Sequence, residues 1–374
     1  MPRLFQREGK QVSKRIASIE SFRVLAIFAV ILWHTGFVGG LSRLAGENLA
    51  IVLTGYLVWW VGVPYFLITA GYFFRRSVLP NELSVIHLQQ HVAPFAWIFT
   101  FWMCLYIVVP PNWPGEILHH GLWKTLYATA LRNIQLLETE NIRLILAGGY
   151  PVFHLWFLPA LMFSLAALTL VAICQLQRYL IPLVVCLYIL ALIDEILGMQ
   201  PYNLHLYVGT WSIALLFTAI GWLFAERKQP SATLAWSLII GGYVLALMEG
   251  LVMNTVFQIS LQTLKWHTFL GGIILGVGIF LLALAKPKMG QSSPFPLLAQ
   301  FTMGVYVSHI LVIYTLSPLS SRLQGHVPLL GAFMAIIVYA FSVLLTIILA
   351  RSPMTRDLVV KSHWKRMDEE KHRV

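Results

Sequence analysis

About ten times along this chain an apolar run reaches the length, roughly 17–25 residues, that an α-helix needs to cross a bilayer. The runs lie near 16–38, 51–74, 93–111, 153–174, 179–198, 207–225, 232–252, 266–285, 298–317 and 328–350. Backbone N–H and C=O groups in hydrocarbon must be satisfied within the chain, so segments of this length are read as helices. The composition agrees: 58% of residues are hydrophobic and 11% charged, whereas a soluble domain carries about a quarter charged residues. The fold class expected is all-α, a polytopic membrane helix bundle of about ten transmembrane helices. A net charge of +11 does not point to nucleic acid, because the basic residues form neither one stripe nor a reader module. They lie mostly at the ends of apolar runs, where they set topology and meet anionic headgroups of the lipid bilayer.

Arg3, Arg7, Lys10, Lys14 and Arg15 precede the first run, which is too long for a cleaved signal peptide and lacks a small-residue cleavage site. It is read as a retained helix with a cytoplasmic N-terminus. Arg75 and Arg76 end the second run, Arg178 lies between the fourth and fifth, Arg227 and Lys228 follow the sixth, and Lys286 and Lys288 follow the eighth. Arg351, Arg356, Lys361, Lys365 and Arg366 follow the tenth. Positive-inside bias therefore places both termini in the cytoplasm of a multi-pass protein of the inner, or plasma, membrane. The division expected is a basic N-terminal segment 1–15, a transmembrane domain 16–350 and a charged cytoplasmic tail 351–374. Within the domain, 112–150 alternates apolar residues with Lys124, Arg132, Glu138 and Arg143, which predicts an interfacial amphipathic segment on the outer face. Cys104, Cys174 and Cys186 stand singly, without disulfide or metal-ligand spacing, and no resident metal is expected. No P-loop or Gly-rich dinucleotide fingerprint is visible, which argues against an ATP-driven pump or a Rossmann enzyme.

Chemistry must then come from polar residues inside the apolar runs. Arg23 and His34 are eleven residues apart in the first run, so they lie within roughly 20° of one helix face and about 16 Å apart along it. Ionisable groups at membrane depth are costly, and the default reading of such a pair is functional. The competing readings are a Glu20 and Arg23 ion pair at the membrane edge and a His34 that serves only as a helix-to-helix hydrogen bond. Phe66-Leu67-Ile68-Thr69-Ala70-Gly71-Tyr72-Phe73-Phe74 closes the second run with a small-residue patch that permits close helix approach, and ends in Arg75 and Arg76. His154-Leu155-Trp156-Phe157-Leu158 opens the fourth, and the ninth carries Gly304 and Ser308 as a small-xxx-small pair beside His309. Each of these reads equally as part of a functional site and as an aromatic belt or packing device.

Taken together, the arginine, ten residues, then histidine of the first run, the Gly-Tyr-Phe-Phe end of the second and the His-Leu-Trp-Phe-Leu start of the fourth resemble the integral-membrane acyltransferase family 3. In detail it looks most like the single-domain type, such as the members that O-acetylate enterobacterial common antigen, for which no hydrolase-like extension after the tenth helix is expected. Glu20 stands where many relatives have aspartate, and Arg75 and Arg76 are adjacent where other members space two arginines apart. The resemblance implies an O-acyltransferase that moves an acyl group, commonly acetyl from acetyl-CoA, to a sugar hydroxyl of a cell-envelope polysaccharide or lipid-linked glycan. It implies catalytic roles for His34 and Glu20, donor binding by Arg23, Arg75 and Arg76, and acceptor-side or supporting roles for His154, Trp156, His309 and Ser308. The partners implied are acyl-CoA as a donor substrate rather than a resident cofactor, the glycan acceptor and the bilayer, with no nucleic acid.

Physical chemistry fits that division. CoA is a polyanion made in the cytoplasm, and guanidinium groups pair with phosphate in bidentate fashion. A neutral histidine can accept the proton of an attacking sugar hydroxyl, an effect of roughly 10²–10⁴ in rate. Direct transfer and a ping-pong route through an acyl-histidine are both open. Trp156 reads first as part of the aromatic belt and second as a stacking surface for a sugar ring. The alternative class is a transporter or flippase in which Arg23, His34 and His309 bind an anion or relay protons. Against it, the chain shows no internal repeat and no matched pair of Gly/Pro-broken helices.

Overall fold

A computed structural model of the chain describes residues 16–37, 41, 57–77, 84–140, 153–198, 209–259, 269–323 and 330–359. The expected N-terminal segment, most of the charged tail and the last part of 112–150 lie outside the described residues. Those residues form helices and no strand. In chain order the helices are α1 (Ala17–His34), α2 (Val63–Arg76), α3 (Val85–Val108), α4 (Trp113–His120), α5 (Leu122–Glu140), α6 (Phe157–Ile173) and α7 (Leu180–Gly198). They continue with α8 (Gly209–Phe224), α9 (Ala232–Thr255), α10 (Leu270–Ala285), α11 (Thr302–Leu323) and α12 (Leu330–Arg351). Seven of the helices are long and apolar enough to cross a membrane, and α6, α8 and α10 are shorter apolar helices of 16 or 17 residues.

Burial sorts the bundle into a centre and a rim. In α1, α2 and the span containing α11, half or more of the apolar window is buried, against 17–28% in α3, α7, α9 and α12. The short helices α6, α8 and α10 belong to the centre, with residues such as Leu158, Phe217 and Phe280 fully covered. Small residues make the close crossings. A Cβ added at Gly71 of α2 would overlap the Thr218 carbonyl of α8, and one at Gly221 of α8 would overlap the Ile68 carbonyl of α2. The small-residue end of the second apolar run is therefore a contact surface, as its sequence suggests. Gly304 plays the same part on α11, where its missing side chain leaves room for Thr346 of α12.

Carboxylates close two helical hairpins at one end of the bundle. Asp194 of α7 accepts from the Gly209 N–H at the start of α8 at 2.8 Å. Glu249 of α9 accepts from the Leu270 and Gly271 N–H groups at the start of α10, at 3.1 and 2.9 Å. An anion at a helix N-terminus satisfies orphan donors and meets the positive end of the dipole.

The first helix is shorter than its apolar run. α1 ends at His34 because Gly36 takes φ +78°, the left-handed conformation that terminates helices. The Thr35 hydroxyl donates to the Gly331 carbonyl of α12 at 2.9 Å and holds that end in place. At the other end Ser18 Oγ donates to the Ala283 carbonyl of α10 at 2.5 Å, and the Tyr65 hydroxyl of α2 donates to the Ile19 carbonyl at 3.2 Å.

The 112–150 segment contains two helices, α4 and α5. In α5 the amphipathic pattern faces outward: Trp123 and Tyr127 are exposed, whereas Thr125, Thr129 and Asn133 are buried. Asn133 Nδ2 donates to the Ile107 carbonyl of α3 at 2.8 Å. An apolar outer face with a polar inner one suits a helix that rests against lipid. After α12 the chain turns back onto α3, where the Leu358 carbonyl accepts from the Trp102 indole at 2.9 Å.

Candidate functional site

Three histidines far apart in sequence meet at one end of the bundle. His34 is the last residue of α1, His154 lies in the turn that leads into α6, and His309 sits in α11. The His34 and His309 rings are 5.4 Å apart between centroids, and those of His154 and His309 are 5.5 Å apart. Phe153 packs on His34 and His154 at 5.5 Å from each, and Tyr106 of α3 meets His154 edge-on at 4.6 Å.

Backbone contacts fix the frame around them. His309 Nδ1 lies 2.6 Å from the Tyr306 carbonyl, to which it can only donate, so the neutral ring turns the lone pair of Nε2 into the cluster. The Tyr306 hydroxyl donates to the His154 carbonyl and ties α11 to the turn before α6. Tyr106 donates to the Val307 carbonyl at 2.8 Å and accepts from the Leu311 N–H at 3.0 Å. His154 and His309 are 3% and 0% exposed, and among the described residues neither ring nitrogen of His154 nor Nε2 of His309 has a protein partner. Ser308 Oγ, equally buried, has none either. A buried polar atom left unpaired costs about 1–3 kcal/mol, so four such atoms mark a place built for a hydrogen-bonding guest or for water. Among the described residues no group of three or more His, Cys, Asp or Glu is arranged to hold a metal ion, this cluster included.

The arginines occupy the opposite end. Arg23 pairs with Glu20 at 3.1 Å, one turn away on α1. Glu20 is fourteen residues from His34, about 21 Å along the helix, so the structure does not bring the two expected catalytic residues together. Arg75 and Arg76 diverge as adjacent helical residues must. Arg75 pairs with Glu226 beyond α8, and its guanidinium lies 5.1 Å from the Trp222 ring, with a side chain only 10% exposed. Arg76 is exposed, donates to the Tyr72 hydroxyl and lies 5.4 Å from that ring. Tyr65, Tyr72 and Arg76 follow the i, i+7, i+11 pattern of one helix face, the face on which Tyr65 meets Phe22 of α1 at 5.9 Å. Arg76 therefore shares a side of the bundle with Arg23, and Arg75 does not.

Trp156 is half-buried and packed on the core beside the histidines, not spread over the rim. Tyr106, Phe153 and Tyr306 complete the cluster, and the sequence reading did not single them out. Phe153 and Tyr306 lie one and three residues from a histidine, a local signal, whereas Tyr106 offers none.

The comparisons with curated proteins and with solved structures found no match. The family model described as an acyltransferase domain, acyltransferase 3, matches residues 16–351 and so takes in every helix described above, including both ends that carry the arginines and the histidines. The chain belongs to the acyltransferase 3 family of membrane acyltransferases.

Proposed function

We propose that the protein is an O-acetyltransferase of the inner membrane, which carries acetyl from acetyl-CoA to a sugar hydroxyl of an envelope polysaccharide or lipid-linked glycan. The observation that supports it most is the set of unpartnered, buried nitrogens on His154 and His309 beside His34, a site with acceptors and donors to spare for a hydroxyl guest. In this reading ten helices span the bilayer, the three short apolar ones included, with both termini in the cytoplasm as the basic helix ends favour.

Arg23 and Arg76 hold the phosphates of the donor on the cytoplasmic side, and Glu20 orients Arg23. Arg75 is a structural residue tied to α8. The pantetheine arm follows α1 toward His34, about 16 Å away along the axis. His34 accepts the proton as the sugar oxygen attacks the thioester carbon; the C–S bond breaks, and the proton passes to the departing thiolate, which restores the neutral imidazole. His154, Ser308 and His309 bind the acceptor and keep the attacking oxygen in line.

Purified protein in liposomes with acetyl-CoA labelled in the acetyl group tests the assignment. Label transferred to a glycan acceptor, with free CoA released in equal amount, is the expected result. Uptake of an intact solute without thioester consumption would overturn it in favour of transport.

The arginines give a second expected result. Arg23→Gln nearly abolishes CoA binding and Arg23→Lys weakens it, because lysine offers a point charge in place of a planar fork. Arg76→Ala lowers donor affinity, whereas Arg75→Ala lowers the melting temperature and leaves affinity close to normal. Equilibrium binding of CoA, measured with thermal unfolding of each variant, separates the two. Equal loss of affinity at Arg75 and Arg76 contradicts the division of roles.

A further inference from the structure

A groove lies on the rim of the bundle at its arginine end, between the start of α9 and the end of α10 and away from the histidine cluster. One part of it, about 720 Å³, is lined by Thr233, Trp236, Ser237 and Ile240 of α9 and by Lys286, the residue after α10. A second part, about 420 Å³, is lined by Trp236 together with Lys286, Pro287, Lys288 and Met289. Trp236 and Lys286 belong to both, so the two parts adjoin, and each has the size of a ligand site, roughly 300–1,000 Å³.

Hydrogen bonds fix the walls of this groove. Gln229 Nε2 donates to the Leu284 carbonyl at 3.0 Å and joins the turn before α9 to the last turn of α10. The Pro287 carbonyl accepts from the Ser18 N–H at 3.2 Å, which holds the chain after α10 against the helix that carries Arg23. Ser231 caps α9 by accepting from the Leu234 N–H at 3.1 Å. Thr233 and Ser237, one turn apart on the helix so begun, are exposed on one face.

The charge around the groove is of one sign. Lys286 and Lys288 are exposed, and so are Arg227 and Lys228 in the turn that enters α9. Between Arg227 and Leu298 the sequence holds one carboxylate, Glu249, which accepts from the Leu270 and Gly271 N–H groups at the opposite end of the α9–α10 pair. Glu226, the carboxylate next to the turn, is paired with Arg75. Two ammonium groups with two hydroxyl donors and no local acid suit a phosphate. Beyond the groove the surface turns apolar: Trp236, Ile240, Val244 and Met248 follow one another at four-residue spacing along α9, and all are exposed. A tryptophan between a charged helix end and an apolar stripe sits at the level of the lipid headgroups. The ligand that matches both halves carries a phosphate at one end and long hydrocarbon at the other.

We propose that Thr233, Trp236, Ser237, Lys286 and Lys288 form a binding site for one anionic phospholipid of the bilayer, its phosphate held by the lysines and hydroxyls and its acyl chains laid along α9. Basic residues scattered over helix ends attract anionic lipid diffusely, whereas a basic pocket between two membrane helices adds shape to charge and retains a single molecule. An occupied site fastens the start of α9 to the chain after α10, which in turn is bonded to the start of α1. The proposal rests on the membrane bundle and not on the transferase reading.

Native mass spectrometry of the full-length protein, delipidated in detergent and titrated with dioleoylphosphatidylglycerol, dioleoylphosphatidylcholine or glycerol 3-phosphate, tests the site. One phosphatidylglycerol retained per chain, at concentrations where phosphatidylcholine is not, is expected, together with a rise in melting temperature and no displacement by glycerol 3-phosphate, which lacks the acyl chains. Lys286→Gln and Lys288→Gln should each weaken phosphatidylglycerol binding by about fivefold and the pair by about twentyfold or more. Trp236→Ala should weaken it as well, and Lys286→Arg should preserve it. Arg178→Gln/Arg351→Gln removes the same charge elsewhere and should leave binding unchanged. Equal phosphatidylglycerol affinity in the wild type and the lysine pair would sink the proposal, as would equal retention of the two phospholipids or an equal loss in the arginine control. Displacement by equimolar glycerol 3-phosphate would overturn the lipid in favour of a free phosphate, and a dimer that Trp236→Ala abolishes and lipid does not affect would overturn it in favour of a second copy of the chain. Because these side chains are exposed, each lipid-free variant should melt with the wild type; Lys286→Ala/Lys288→Ala replaces the glutamine pair if it does not.

Discussion

Replacing His34 with alanine is expected to lower acyl transfer by at least about a hundredfold while the protein remains folded and inserted. The side chain is half-buried at the last residue of α1, and its ring touches Phe153 and His309 without a structural hydrogen bond among those described, so its removal costs little packing. In the proposed mechanism what is lost is the group that accepts the hydroxyl proton. Donor binding should change little, because Arg23, proposed to hold the donor phosphates, lies about 16 Å away along α1. Turnover at saturating acetyl-CoA, CoA affinity and melting temperature together decide the matter. Near-normal turnover would return His34 to a packing role, and a large loss of CoA affinity would make it a binding group. His309, whose Nε2 faces the same cluster, is the natural substitute base, and His34→Ala/His309→Ala measures how much residual activity depends on it.

The largest effect on folding is expected at the crossing of α2 and α8. Gly71→Val places a branched side chain against the Thr218 carbonyl, and the backbone of α8 cannot yield as a flexible side chain would. Overpacking a well-filled interior costs roughly 1–3 kcal/mol, and a side chain driven into the backbone of the facing helix exceeds that range. The expected outcome is loss of the monodisperse detergent-solubilised protein in size-exclusion chromatography, with Gly221→Val behaving alike because Gly221 faces Ile68 across the same crossing. Gly241, whose added Cβ meets nothing within 4 Å, is the control, and Gly241→Val should be tolerated. Tolerance of Gly71→Val would mean that α2 and α8 are less closely crossed than described.

The helices themselves were legible in the sequence because hydrocarbon forces the backbone to pair internally, and each apolar run contains one. Their ends were less so. α3 begins at Val85, well before its apolar run, because Gln89, Gln90 and the two histidines hide the first turns. Ser84, which accepts from the His87 N–H at 3.3 Å, was the available cap signal. Gly36 was likewise a visible stop for α1. The 100° divergence of Arg75 and Arg76 follows from adjacency alone, but which of them faces α8 depends on Trp222 and Glu226, which lie about 150 residues away and carry no mark of it in sequence. The meeting of His34, His154 and His309 is tertiary in the same sense. Each histidine was visible as a costly polar residue in an apolar run, while their convergence required the packing of α1, α6 and α11.

The shortness of three of the central helices has a consequence for the membrane. α6, α8 and α10, at 16 or 17 residues, extend about 24–26 Å, less than the roughly 30 Å of a hydrocarbon layer. α9 at the rim, with 24 residues, extends about 36 Å. If these three helices span the bilayer, as the proposed topology has it, their described lengths fall short of the hydrocarbon layer that the rim helix α9 matches or exceeds. In that topology the barrier at the axis of the bundle would be thinner than the surrounding bilayer. An extra turn inserted in α8 or α10 would lengthen that path by about 5.4 Å without altering a side chain at either end, so in the proposed mechanism helix length is itself a determinant of acyl transfer.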